Sequence, residues 1–227
     1  MMEKKIPLPT VNRLSLYLKC FSELSASDVE YVSSEKVAGR IGLNPAQVRK
    51  DLAYFGKFGR RGFGYHVDQL KENISKILGT NKSSKAAVVG VGNLGRALLM
   101  YGGFEARGFK VAAGFDVDPD KIGWELDGIT IYPVDEMENI IKRDKIDIVI
   151  LTIPVQAVED VMARLRKTGI KGVLNFAGKH IKSENGIIVR NADLALELEQ
   201  LMFFLTNKYE KRIKRKDGKN GRQEEKV

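Results

Sequence analysis

Leu14, Tyr17, Leu18, Phe21 and Leu24 recur at helical spacing. They predict a first helix running from a Thr10 cap to about Leu24 with one apolar stripe. Ser33-Ser34-Glu35 opens a second helix with Val37, Ala38 and Ile41 inward, and Gly42-Leu43-Asn44-Pro45 breaks it. Asn44 suits an N-cap and Pro45 a first helical turn, so a third helix is predicted from Pro45 to about Phe55. Its Val48, Leu52 and Phe55 share one side and face the first helix. Two short helices across a glycine-containing turn form a helix-turn-helix pattern. Glycines every few residues between Gly56 and Gly64 then predict a tight hairpin, a wing. Asp68 is expected to cap a fourth helix to about Leu78, and residues 79–85 read as a polar linker.

Beyond the linker the pattern changes. Ala86–Val89 is a short apolar run suited to a buried parallel strand. Further strands are predicted at Lys110–Phe115, Ile146–Thr152, Gly172–Phe176 and Ile187–Arg190, with helical stretches between. Alternating strands and helices argue for an α/β fold with a doubly wound parallel sheet. Residues 192–206 read as a last helix. Leu194, Leu198, Leu201 and Leu205 share one face, with Leu196 and Phe203 on roughly the opposite one. A helix apolar on both sides needs burial on both sides. Insertion into a second protomer satisfies that and makes a two-fold dimer; burial within its own chain is the alternative. The predicted division is a winged helix-turn-helix domain over 1–84, a nucleotide domain over 85–191, a dimerisation helix over 192–209 and a basic, disordered tail over 210–227.

Charge sharpens the picture. The formal +9 is uneven: residues 1–84 hold 14 Lys/Arg against 8 Asp/Glu, residues 85–206 hold 15 against 17, and residues 207–227 hold 9 against 4. A basic end on a nearly neutral body suggests a polyanion for that end, although solubility alone would also account for it. Gln47, Arg49, Lys50 and Tyr54 fall outside the apolar stripe of the third helix, where they can reach base edges and phosphates. In the wing, Lys57, Arg60 and Arg61 with Gly62 offer cations to a narrow minor groove. The competing reading is a small helical domain with a solvated charged face.

After the first predicted strand comes Gly90-Val91-Gly92-Asn93-Leu94-Gly95-Arg96. Gly90 permits the tight turn, Gly92 lets backbone approach a pyrophosphate, and Gly95 lets helix sit close to strand. The helix N-terminus adds amide donors and a favourable dipole. Asp116 stands 21 residues past Gly95, at the end of the second strand. An acid there accepts ribose hydroxyls and repels a 2′-phosphate, so NAD is favoured over NADP. Asp118 can share or compete for that role. Thr152 and Pro154 lie at the carboxyl end of another strand, where ligands of such sheets sit. The bland alternative is a glycine-rich turn with no ligand.

The single cysteine, Cys20, excludes an internal disulfide and a Cys-rich metal site and fits a reducing cytoplasm. No run approaches a membrane span and the start lacks a signal-peptide core. A cytoplasmic protein with no metal and no membrane partner is expected. The enzymatic alternative, an NAD-dependent oxidoreductase, needs an acid or base beside the nicotinamide. His66 falls in the wing region and His180 lacks an evident companion, which leaves Tyr101 as the best candidate. A CoA-type nucleotide module is a third reading, against which Asp116 argues.

VRKDLAYFGKFGRRGFGY (48–65), GVGNLGRA (90–97), FDVDPDKIG (115–123), LNFA (174–177) and NADLALELEQL (191–201) together resemble the Rex family of bacterial redox-sensing transcriptional repressors, over about Pro7 to Leu205. The resemblance implies a homodimer of winged-helix and Rossmann domains with a C-terminal domain-swapped helix. It implies binding of NADH and NAD⁺, and release from palindromic operator DNA by NADH. It implies that Arg49 and Lys50 contact the major groove and Arg60 the minor groove. Gly90 to Gly95 would hold the pyrophosphate, Asp116 the ribose, and Tyr101 would lie near the nicotinamide. It further implies that Arg13 and Asp193 pair to link the DNA-binding domain to the swapped helix, as a switch. Leu194 stands where family members often carry Phe.

Overall fold

The computed structural model describes residues 7–206 apart from positions 57 and 61. Two compact units are present: residues up to Ser84 together with Gly103–Lys110, and Lys85–Gly102 together with the chain from Val111 onward. Lys57, Arg61 and the tail of residues 207–227 lie outside the described residues.

The first unit contains α1 (Leu8–Ala26), β1 (Tyr31–Val32), α2 (Ser34–Ile41), α3 (Pro45–Ala53), β2 (Gly59–Arg60), β3 (Gly64–His66) and α4 (Val67–Leu78). Helix α1 starts upstream of the expected cap. Pro9 fits the first turn, where a missing N–H costs nothing, so the helix begins after Pro7 and Thr10 is buried inside it. The Ser33 hydroxyl caps α2 by accepting from the Lys36 amide, and Gly42 ends it in the left-handed region at φ 70°. Asn44 caps α3 as its sequence predicts, accepting from the Gln47 amide at 2.7 Å. For α4 the cap is His66, whose Nδ1 accepts from the Gln69 amide at 3.4 Å. Asp68 instead lies in the first turn and accepts from the Ser25 hydroxyl.

Leu14, Tyr17, Phe21 and Leu24 of α1 close over Val48 and Leu52 of α3 and Leu70 and Ile74 of α4 in one apolar cluster. Strands pair in the order β1-β3-β2, antiparallel, with Tyr31 opposite His66 and Gly59 opposite Tyr65. Gly64 is required there: its φ is +91°, and a Cβ would lie 2.3 Å from the Val32 carbonyl oxygen.

The second unit is built on β4 (Ser84–Val89), α5 (Asn93–Leu99), β5 (Phe109–Asp116), β6 (Glu125–Leu126), β7 (Ile129–Pro133), α6 (Met137–Asp144), β8 (Ile148–Leu151), α7 (Val158–Leu165), β9 (Gly172–Asn175) and β10 (Ile188–Asn191). The sheet order is β10-β9-β8-β4-β5-β7-β6. From β4 the chain winds outward through β5 to β7 and then, after returning, through β8 and β9 to β10. That is the doubly wound order, with its crevice at the carboxyl ends of the strands where the winding reverses. The pairs β4–β8, β8–β9, β9–β10 and β5–β7 are parallel, and β6 is antiparallel to β7. Val89 and Leu151 sit opposite each other, so β4 and β8 end together. The core between sheet and helices holds Phe115, Met137, Ile141, Leu151, Met162 and Leu165.

A helix over 194–206, α8, ends the described chain. Asp193 caps it, accepting from the amides of Ala195 and Leu196 at 2.9 and 3.3 Å. Its Leu194, Leu196, Leu198, Leu201, Phe203 and Leu205 are 47–64% exposed. Neither apolar face is therefore buried by the rest of the described chain. No helix of the described residues is long and apolar enough to cross a membrane, and no group of three or more His, Cys, Asp or Glu among them is placed to hold a metal ion.

Candidate functional site

The glycine turn sits at the carboxyl ends of β4 and β8. Gly90 has φ +90°, and a Cβ there would lie 2.7 Å from the Thr152 carbonyl oxygen. The two strand ends are tied: the Thr152 amide donates to the Val89 carbonyl at 2.9 Å, and its hydroxyl donates to the Gly90 carbonyl at 2.6 Å. A Cβ on Gly95 would lie 1.9 Å from the Gly90 oxygen and 2.7 Å from the Thr152 hydroxyl, so α5 packs directly on the turn. A Cβ on Gly92 would meet nothing within 4 Å. Two glycines are thus demanded by packing, while the third leaves backbone bare toward open space, where a phosphate can approach.

Asp116 ends β5 with 7% of its surface exposed. One carboxylate oxygen accepts from the Val91 amide at 2.6 Å and the other from the Asp118 amide at 2.9 Å. The acid and the glycine turn are therefore one assembly, with Thr152 as its third member. Lys121, unflagged by sequence reasoning, lies 3.5 Å from Asp116 and 3.1 Å from Asp118. Hydrogen bonding from Lys121 holds the Asp118 carboxyl below its usual range. Arg96 lies over the Trp124 ring at 5.8 Å. Tyr101 follows the end of α5 and is 57% exposed; Pro154, beyond β8, is also exposed.

In the first unit, Arg49 and Lys50 stand exposed on α3. Arg49 is held by the Ser34 hydroxyl at 2.8 Å and by Glu35 at 3.3 Å. Tyr54, at the end of α3, is half-buried. Arg60 and Gly62 are exposed in the hairpin, which the Phe63 amide closes by donating to the Arg60 carbonyl at 3.1 Å. Gln47 turns the other way, its side-chain amide donating to Asp51 at 2.8 Å.

Asp51 is the residue the sequence did not single out. Fully buried, it accepts from Arg13 Nε at 2.5 Å and Nη2 at 2.8 Å, from the Tyr17 hydroxyl at 2.8 Å and from the Thr10 hydroxyl at 3.3 Å. Burial alone would raise its pKa, but the bonds from Arg13, Tyr17 and Gln47 hold it below the usual carboxylate range. Arg13 is thus engaged by α3 inside the first unit, while Asp193 caps α8 in the second.

Residues 5–53 match a family described as "Putative DNA-binding protein N-terminus", and residues 81–178 match one described as "CoA binding domain". A redox-sensing transcriptional repressor Rex of Syntrophobacter fumaroxidans is 44% identical over 203 residues, spanning 89% of this chain and 97% of that protein. The chain belongs to the Rex family of redox-sensing transcriptional repressors. A Rex of Carboxydothermus hydrogenoformans is 43% identical over 88% of this chain and 96% of its own length. Among solved structures, the Rex-family repressor RSP in complex with β-NAD⁺ and operator DNA matches with a TM-score of 0.84 and 34% identity, over 92% of this chain and 97% of that one. RSP in complex with β-NADH matches with 0.81 and 32%, over 92% and 98%. Rex proteins are transcriptional repressors, and membership of that family sets aside the oxidoreductase reading.

Proposed function

We propose that this Rex protein reads the NADH/NAD⁺ ratio at the Gly90–Arg96 turn and converts it into occupancy of a palindromic double-stranded operator. The observation that carries the reading is the likeness, over nearly the full length of both chains, to a repressor captured with β-NAD⁺ on operator DNA and also with β-NADH. The residues fit both ligands. Gly90, Val91, Gly92, Asn93, Leu94, Gly95 and Arg96 offer backbone to the pyrophosphate, with Gly92 as the open point of approach. Asp116 accepts the adenine-ribose hydroxyls and disfavours a 2′-phosphate. Thr152, Pro154 and Tyr101 take the nicotinamide end. NAD⁺ and NADH differ there by one positive charge, and that difference is what the surrounding side chains respond to.

Arg49 and Lys50 read the major groove, Tyr54 reaches phosphate, and the wing residues Lys57, Arg60, Arg61 and Gly62 enter the minor groove. Gln47, committed to Asp51, drops out of direct readout. Helix α8, apolar on both exposed faces, joins two copies into a homodimer by exchange between protomers, with Arg13, Asp193 and Tyr101 as its switch residues. The two recognition helices then meet half-sites about 10–10.5 bp apart, or a multiple of that. With NADH bound, the dimer favours an arrangement that no longer fits both half-sites. A nearly complete shift needs a preference of roughly 10⁴-fold between the two arrangements. Work on a bacterial chromosome puts the protein in the cytoplasm.

The test is affinity for a palindromic operator duplex at fixed salt, without cofactor, with NAD⁺ and with NADH. Selective loss with NADH is expected. Equal affinity in all three conditions would overturn the reading.

A further inference from the structure

Asp51 carries a formal charge into the interior of the first unit, where it is fully buried. Burying a carboxylate stabilises little by itself, since its desolvation cost offsets most of what its partners return. The geometry points to a different role. Its donors from α1 are Thr10, Arg13 and Tyr17, three and four residues apart on one face of that helix. Its fourth donor is Gln47, one turn earlier on α3 itself. Arg49 projects from the opposite side of α3, two positions and about 200° away from Asp51.

Val48 and Leu52 also pack α3 into the core, but apolar contact has no direction and tolerates rotation and sliding. A guanidinium that grips both oxygens of one carboxylate fixes a plane. We propose that Asp51 is the positioning residue for operator recognition: it sets the rotation of α3 against α1, and it withdraws Gln47 from the DNA face. Rotating a helix by about 20° moves a side-chain tip some 9 Å from the axis by about 3 Å. That displacement exceeds the tolerance of a hydrogen bond to a base edge. It is small for a flexible cation following phosphates, which position the protein without reading sequence. Asp51 therefore governs discrimination between sequences more than affinity for DNA as such. The proposal rests on the DNA-binding reading above.

The experiment is Asp51→Asn in the full chain, with affinities for an operator duplex and a scrambled duplex at several salt concentrations. Operator affinity is expected to fall at least 30-fold, while scrambled-duplex affinity, its salt slope and NADH affinity stay within threefold and circular dichroism reports a folded protein. Leu52→Ala, which loosens the same helix by removing apolar contact, is expected to lower the melting temperature and keep the operator-to-scrambled ratio. A folded Asp51→Asn that keeps this ratio within threefold overturns the proposal. If that variant does not fold, Tyr17→Phe removes one donor and leaves Arg13 in place; a ratio reduced at least threefold supports the proposal and an unchanged one overturns it. Gln47→Ala is expected to leave the ratio within threefold, and a loss as large as that of Asp51→Asn would return base readout to Gln47 and overturn the assignment. Failure of the wild-type chain to prefer operator over scrambled duplex would instead overturn the function itself.

Discussion

The Gly90–Gly95 turn allows a controlled pair of perturbations, Gly92→Ala and Gly95→Ala. At Gly95 an added methyl lies 1.9 Å from the Gly90 carbonyl oxygen, where ordinary contact begins near 3.4 Å, a shortfall of 1.5 Å against backbone that cannot swing away. Helix α5 must lift off β4. Overpacking of this kind costs about 1–3 kcal/mol or more, and the better helix propensity of alanine returns about 1 kcal/mol at most. At Gly92 the same methyl meets nothing within 4 Å, and the backbone, at φ −76° and ψ −166°, is ordinary for alanine. Its effect on stability should stay within about 1 kcal/mol. On the proposed placement of the pyrophosphate the methyl stands where phosphate oxygens approach, and losing one charge-assisted bond costs about 1.5–3 kcal/mol, or roughly 10- to 100-fold in NADH affinity. Urea unfolding of the unliganded chain and NADH fluorescence titration separate the two effects. Gly95→Ala should lose stability; Gly92→Ala should keep it and lose cofactor. NADH bound by Gly92→Ala within threefold of wild type would refute the placement of the pyrophosphate. Gly95→Ala as stable as wild type would refute the packing argument.

Arg49→Ala should weaken operator binding by about 1–3 kcal/mol and relax preference at one base position, as read by competition with single-base variants of the operator. The acid limb of stability should be steep. Asp51 is held below its ordinary value, so its contribution is fully present above the unfolded carboxylate pKa of about 3.9 and is lost as pH falls through the lower folded value. Urea midpoints measured from pH 6 to 2 should show that slope, and Asp51→Asn should flatten it. Leu198→Asp with Leu201→Asp places two charges on the exposed face of α8, and sedimentation should report a monomer in place of the dimer proposed for the intact chain.

Much of this architecture is legible because its signals are local. Ser33 and Asn44 cap α2 and α3 through bonds reaching only three residues ahead. The glycine turn and Asp116 announce themselves by spacing, and the structure joins them through a single bond from the Val91 amide. Asp51 could not be read this way. It sits in Val48-Arg49-Lys50-Asp51-Leu52, where an acid among cations looks solvated, and its α1 partners lie 34 to 41 residues upstream. Gln47 could not be read this way either: it lies outside the apolar stripe of α3, yet its side-chain amide donates to a buried acid one turn on. The β6–β7 pair escaped because a two-residue strand has no alternation to detect, although Asp127-Gly128, both at positive φ, is a hairpin signal. Lys121 lay inside a quoted motif, yet only the fold reveals that its ammonium reaches two acids.

The exposed apolar faces of α8 also have a genetic consequence. Under the proposed exchange of α8 between protomers, each chain would be complete only in company, so defective and intact copies would assemble together without discrimination. If a chain lacking Arg49 were made beside an equal amount of the intact one, only about a quarter of the dimers would carry two working recognition helices. Because the proposed palindromic operator needs both, one damaged allele should silence most of the repressor in the cell, and the mutation should behave as dominant.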